Sequence, residues 1–404
     1  MISDELKELL TERLTNRIEK LNAEILKTIS DSIDEIGKLT PSNAFRLSNI
    51  LKYGGDYNKI VKEIQRVTNL NVKEIEKIFD EVALKDYMSS KEYYLLKNKG
   101  FIPYEQNIAL KQQVNALKEI SQNRYLNFSN TGVLGFTVRN QEGKVIFKDI
   151  STLYQDVIDE AVLNVYQGKE SFDKMYRRIV KELGKSGLKT VDYESGYTRR
   201  LDSAVRMNIQ GAIRDLENEL QLTIGQQTNC DGIEVSVHEN PAPDHEPIQG
   251  HQFRIEEYKN MQNSLPFKDV DGTEYEAISR HIGEYNCYHN IFSITVGINK
   301  PIYSKKELKD IIKRNNKEIE IDGKKYNKYE CTQLQRRLET EIRKQKDIQI
   351  MCRDKPELKE LLYESQKNIN NLKNKYIEIS NKANLKTKLE RMSVSNYRKI
   401  KIKE

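Results

Sequence analysis

Asp231-Gly232-Ile233-Glu234-Val235-Ser236-Val237-His238 alternates polar and apolar side chains, with Ile233, Val235 and Val237 on one face. That period of two predicts a β-strand. In a chain otherwise dominated by helix-forming, charged sequence, this stretch makes the fold α+β and predominantly helical, rather than all-helical. The strand runs into Glu239-Asn240-Pro241-Ala242-Pro243-Asp244-His245-Glu246-Pro247, where three prolines dictate an extended loop, and then into Gln249-Gly250-His251-Gln252-Phe253. Further on, Tyr285-Asn286-Cys287-Tyr288-His289-Asn290 precedes a second β-prone run, Ile291-Phe292-Ser293-Ile294-Thr295-Val296.

All five histidines of the 404-residue chain lie between His238 and His289, and two of its four cysteines, Cys230 and Cys287, lie in or beside that stretch. Histidine binds metals, moves protons and fixes buried turns more often than any other side chain. If residues 287 to 289 are extended, Cys287 and His289 point to the same side. With His238 and His245 they make a Cys/His₃ set of the kind a structural Zn²⁺ accepts, although the spacing matches none of the standard zinc modules. The alternative is structural: the same side chains hydrogen-bond loop backbone in a small domain.

Outward from this region the pattern is helical. Leu6, Leu9, Leu10, Leu14, Ile18, Leu21, Ile25, Ile29 and Ile33 step by three and four, predicting one amphipathic helix over residues 5–37. So long a leading helix has few local partners, and its apolar stripe is expected to meet another chain. Thr40-Pro41 starts a short helix ended by Gly54-Gly55, and Asn71 with Glu74 reads as a capping box opening a third helix. Glycines 132, 135 and 143 bracket a hairpin with Asn140-Gln141-Glu142-Gly143 as its turn. Helical periodicity returns over 153–165, 171–183 and 199–222. Gly184-Lys185-Ser186 is not a phosphate loop, because the upstream glycine and the preceding strand are both missing. Ser304 with Glu307 forms a capping box. Leu334, Leu338 and Ile342, then Leu358, Leu361, Ile369, Leu372, Tyr376 and Ile379 beyond Pro356, predict a helical hairpin or short coiled coil. Four consecutive domains follow: a helical docking module over 1–125, hairpin plus helical bundle over 126–225, a β-containing His/Cys domain over 226–300, and a helical hairpin with a basic tail over 301–404.

Charge is uneven. Residues 301–404 hold 28 Lys and Arg against 16 Asp and Glu, while the first 300 residues hold 39 against 45. The sharpest excess lies in Lys386, Lys388, Arg391, Arg398, Lys399, Lys401 and Lys403, a set able to neutralise phosphates without reading sequence, or simply to keep the chain soluble. No stretch is apolar enough to span a membrane, and the start lacks the basic and apolar regions of a leader, so neither export nor membrane insertion is expected. Four scattered cysteines offer no disulfide framework.

The order Ser203-Ala204-Val205-Arg206-Met207-Asn208-Ile209, the strand 230–238, Asp244-His245, Gln249-Gly250, Asn286-Cys287-Tyr288-His289 and Tyr303-Ser304-Lys305-Lys306-Glu307-Leu308 resembles the tailed-phage minor capsid protein family, the minor capsid protein 2 group related to Mu F-like head proteins. Asp192-Tyr193-Glu194-Ser195-Gly196 and Tyr329-Glu330-Cys331-Thr332-Gln333-Leu334 extend the likeness, which is best from Asp156 to Arg343. Ile248 stands where the family usually has an aromatic residue, Ala242 and Tyr288 where it usually has arginines. The resemblance implies a non-enzymatic minor capsid protein of the virion, near the portal vertex on the capsid interior. There it would assist head assembly, DNA packaging or genome delivery, with the portal and other head proteins as partners and packaged DNA as a non-specific contact. No cofactor is expected, apart from the structural zinc that the Cys/His₃ set could hold.

Two other classes compete. A metal-dependent nuclease would use the 238–289 cluster, with Asp244 or Glu246 as the nearby carboxylate. A non-specific DNA-binding coiled-coil protein would account for the tail, but not for the proline-rich histidine region.

Overall fold

Leu10, Leu14, Ile18, Leu21, Ile25, Ile29 and Ile33 form the stripe of a helix, Asp4–Gly37, and each is at most 2% exposed. Thr11, Thr15, Asn22 and Ser30, on other faces of the same helix, are buried too. Seven of the nine residues of the stripe expected to meet another chain are therefore interior, while Leu6 is half-buried and Leu9, at 52%, exposed. The helix's cover comes from sequence-distant segments that no local reading supplies: Ala23 packs with Ile350 and Val394, and Ser30 donates to the Met351 carbonyl at 2.7 Å while its hydroxyl meets Tyr176 at 2.8 Å.

The computed structural model describes residues 2–53, 55–284 and 287–400. It is predominantly helical with small antiparallel sheets. The chain divides into two compact units, one built from residues 1–12, 73–124 and 206–332, the other from 13–72, 125–205 and 333–404. Each unit joins stretches far apart in sequence, so the four consecutive segments name the order of elements along the chain while compactness cuts across them.

In the second unit, Leu134–Arg139 and Val145–Asp149 form the expected hairpin, Arg139 opposite Val145, with Asn140 Oδ1 accepting from the Glu142 and Lys144 amides across the turn. Lys189–Val191 and Thr198–Arg200 extend it to four strands. Helices Ile150–Gln167 and Lys169–Ser186 follow the predicted periodicities. Gly184 sits in the last turn of the second, where an added Cβ would lie 2.9 Å from the Ile348 backbone nitrogen. That glycine permits a close helix approach and cradles no phosphate. The predicted capping box at Asn71 is not a helix start. Asn71 lies inside the helix Asp56–Ser89, fully buried, donating to Tyr125 Oη at 3.1 Å and accepting from Arg17 at the same distance. The C-terminal hairpin pairs Lys328–Cys352 with Lys359–Lys382 around Ile342, Ile369 and Tyr376. The tail then folds back onto it: Met392 joins the same cluster, the Lys388 amide donates to Tyr376 Oη at 2.9 Å, and the Ile400 amide to Gln366 Oε1 at 3.1 Å.

In the first unit, the predicted strand is Gly232–Val235, buried along its length at the centre of a three-stranded antiparallel sheet. Ile233 pairs with Phe253 on one side and Ser293 on the other. Ile233, Val235, Phe253, Tyr258, Met261, Phe267 and Ile291 make its core. The Ser304–Glu307 capping box opens the helix Lys305–Asn315. After it, Ile319–Ile321 and Lys324–Tyr326 form a hairpin closed by Asp322 and Gly323, at φ of 51° and 72°, which is the primed turn that Asp-Gly favours.

Candidate metal centre

The sheet brings the two ends of the histidine region together. Strand Gly232–Val235 leads through Ser236 to His238, and strand Ile291–Ile294 is entered through Cys287, Tyr288 and His289. The Ser236 amide donates to the Asn290 carbonyl at 2.8 Å, tying the two approaches side by side. The proline loop between them folds over a turn in which the His245 and Glu246 amides donate to the Ala242 carbonyl at 2.9 and 3.0 Å. Gly250, at φ of 73°, closes the loop onto the sheet by donating to the Val235 carbonyl at 2.8 Å.

His245, Cys287 and His289 converge. Their ligand atoms all lie within 4.8 Å of one another, and the residues are 1%, 6% and 0% exposed. Cys287 Sγ is 3.5 Å from His245 Nδ1 and 3.5 Å from His289 Nδ1. The other ring nitrogen of His245 is 2.7 Å from the Arg280 carbonyl, which assigns it a proton and, in the neutral ring, leaves the lone pair on Nδ1. His289 Nε2 is buried without a hydrogen-bond partner. Burial opposes charge on both His245 and Cys287, yet their contact outweighs it: the imidazole is held above its ordinary range and the thiol below. His289 is driven far below its ordinary range by burial, with His238, His245 and Arg214 adding to the effect, and so is neutral. A neutral imidazole, a thiol biased toward thiolate and a second imidazole are donors for a borderline-soft cation.

His238, the fourth residue named from sequence, lies outside this convergent group. Its ring lies against His289 with centroids 4.2 Å apart and planes tilted by 55°, and its Nδ1 lies 2.8 Å from the Glu239 carbonyl. His251 and His281 lie apart, facing Asp269 at 3.2 Å and Glu284 at 3.5 Å. Cys230 faces the Tyr93 hydroxyl at 3.1 Å. The two carboxylates nearest in sequence are engaged in other contacts: Asp244 accepts from Ser279 at 2.6 Å and Glu246 from Asn315 and Asn316 at 3.2 and 2.7 Å.

Sequence reasoning missed the wall behind the site. The helix Leu201–Gln227 presents Arg214, 1% exposed, with its guanidinium 4.4 Å from the centre of the Tyr288 ring. From the same helix Asn218 Oδ1 accepts from the Ile291 amide at 3.1 Å. Asp215 and Glu219 face a cavity of about 800 Å³ that Tyr258, Gln262 and His281 also line. The spacing of Arg214 and Asn218 along one helix face was a readable signal, but charged residues on a helix ordinarily face solvent. Of the basic residues named for nucleic acid, Lys386, Arg398 and Lys399 are exposed and Lys388 and Arg391 half-buried. Lys401 and Lys403 lie outside the described residues. Among the described residues no helix is long and apolar enough to cross a membrane.

Comparison with known families matches residues 3–378 to the family described as Phage minor capsid protein 2. No curated protein and no solved structure matches the chain.

Proposed function

The chain belongs to the Phage minor capsid protein 2 family, and from that premise we propose that it stands near the portal vertex on the capsid interior, assisting head assembly, DNA packaging or genome delivery. Membership itself makes it a structural protein of the phage head, with the virion as its place and other head proteins as its neighbours. The near full-length match is the observation that carries the reading. The histidine region is consistent with a structural role, since its converging side chains are almost fully enclosed and the adjacent carboxylates are engaged elsewhere. Those same two facts count against the nuclease alternative, which needs a site open to substrate with a carboxylate free to act.

With the leading helix interior, docking falls to other surfaces. Leu95, Leu96, Ile102 and Ile108 expose large apolar side chains within one short stretch, Leu96 at 81% and Ile108 at 71%, the composition of a surface covered by a neighbour. Exposed Lys386, Arg398 and Lys399 suit phosphate contact inside a DNA-filled head.

The test is co-sedimentation of the full chain with the portal protein encoded beside it. Binding by the natural protein, abolished in Leu96→Asp/Ile108→Asp, supports the portal placement and this surface. Failure of the natural protein to bind overturns the placement, while equal binding by the double variant moves the docking surface elsewhere. Deleting the leading helix would answer neither question, because it removes core.

A further inference from the structure

We propose that His245, Cys287 and His289 bind one Zn²⁺, which fastens the proline loop 239–247 to the approach of the strand Ile291–Ile294.

Three independent features of the geometry point to this ligand. The first is metric. Zinc bonds to sulfur at about 2.3 Å and to nitrogen at about 2.0–2.1 Å, so two such bonds at a tetrahedral angle span an S-to-N edge of about 3.5 Å. Both S-to-N separations in the cluster are 3.5 Å. That separation suits an S–H···N contact and equally the edge of a tetrahedral zinc, so an ion fits between these donors without their moving apart. The second is orientation. A metal-bound histidine typically spends its remaining N–H on a carbonyl or carboxylate, which fixes the tautomer and aims the other nitrogen. His245 does this through Nε2 to the Arg280 carbonyl at 2.7 Å. The third is enclosure. The three donor atoms lie within 4.8 Å of one another and their residues are 1%, 6% and 0% exposed, so they converge where bulk water does not reach them.

The donor set selects among cations. One thiolate and two imidazoles exclude Mg²⁺ and Ca²⁺, which take oxygen ligands, and suit Zn²⁺. The site's place in the fold gives the ion a mechanical task. His245 lies in the loop and Cys287 on the approach to the strand, so a metal held by both bridges residues 42 positions apart. This inference concerns a structural ion, and it stands or falls separately from the protein's position in the head.

The test uses the full chain. After purification without chelator, elemental analysis is expected to find close to one zinc per chain. After zinc is stripped and Co²⁺ added, the near-ultraviolet band of a thiolate-to-cobalt charge transfer should appear and saturate near one equivalent. Cys287→Ser should lose the band, and Cys230→Ser, whose sulfur faces Tyr93, should retain it. Should Cys287→Ser fail to fold, the natural protein decides alone, since the cobalt band and its stoichiometry are read on it directly. A cooperatively melting natural protein that holds no zinc and shows no band with excess Co²⁺ overturns the proposal, as does a band that survives in folded Cys287→Ser.

Discussion

Asn22, in the leading helix, donates its side-chain amide to Asp347, in the C-terminal hairpin, at 3.1 Å across 325 residues of sequence. The same Asn22 accepts from the Leu188 amide at 2.7 Å, so one small polar side chain joins three distant segments of the second unit. Asp347 in turn meets Arg200 at 2.8 Å, Arg200 lies 3.5 Å from Asp202, and Arg343 pairs with Asp202. Two arginines and two aspartates thus balance in an interior where each is less than a tenth exposed.

Breaking this network from one side should be costly. Burial pushes Asp347 above the ordinary carboxylate range and Arg200 draws it back, so Asp347→Ala leaves Arg200 with Asp202 as its sole close anion among these pairs and strips Asn22 of its acceptor. The expected loss is about 3–5 kcal/mol, read as a lower urea midpoint at unchanged slope. A midpoint equal to that of the natural protein would mean the network contributes shape alone.

A second prediction concerns pH. Burial raises Asp215 to about 6 from 3.8, with His281 and Arg124 opposing and Glu219 and Glu284 reinforcing. The native state therefore binds this proton more tightly than the unfolded chain, and stability must fall as pH rises from about 4 through about 6. Asp215→Asn removes the proton linkage. Relative to the natural protein it should gain about 1–3 kcal/mol at pH 8 and nothing at pH 4. Urea unfolding at the two values checks this, and an equal effect at both would exclude ionisation as the cause.

Much of this architecture is visible in residue pattern. The strand at 232, both hairpin-forming C-terminal helices and the turn at Asn140 follow directly from apolar period and turn chemistry. Asn71 shows where pattern misleads: Asn-x-x-Glu has the form of a capping box, but a buried tyrosine hydroxyl and an arginine satisfy the side chain instead, so the helix runs on. The leading helix is readable as a helix but not as interior, because amphipathicity states which face is buried and not what buries it. Asp322-Gly323 carries a legible hairpin signal on only three residues to either side, too short a run for strand periodicity to stand out. In the candidate centre, the sequence concentrates its histidines where the structure brings together His245, Cys287 and His289, while His238 lies beside the His289 ring. Which nitrogen points where depends on Arg280 and the loop path, and neither is written in spacing.

Gly184 supplies a third prediction. In an exposed helix, Gly→Ala gains about 1 kcal/mol of helix propensity. Here the new Cβ would lie 2.4 Å from Ile348 Cγ1 and 2.9 Å from the Ile348 backbone nitrogen. The side chain can turn away but the backbone cannot, so Gly184→Ala should destabilise by about 1–3 kcal/mol. A raised melting temperature would show that the two helices separate at little cost.

The C-terminal segment combines two roles that deletion would confuse. Met392 and Val394 are buried, Lys346 reaches the Met392 carbonyl and sits 4.7 Å from the Tyr397 ring centre, and Arg353 donates to the Arg398 carbonyl at 2.8 Å. Removing residues 382 to 404 would therefore take away phosphate-binding charge and buried core together. Reversing charge at exposed positions isolates the first: Lys386→Glu, Arg398→Glu and Lys399→Glu touch side chains that point to solvent and leave the buried anchors in place. The triple variant should melt with the natural protein, because exposed charges contribute little to stability. If these residues neutralise phosphate, its affinity for duplex DNA should drop, and the slope of log affinity against log salt should shrink by roughly one for each phosphate no longer neutralised. Unchanged affinity and slope would assign the basic excess to solubility, and a lowered melting temperature would place these side chains in the fold itself.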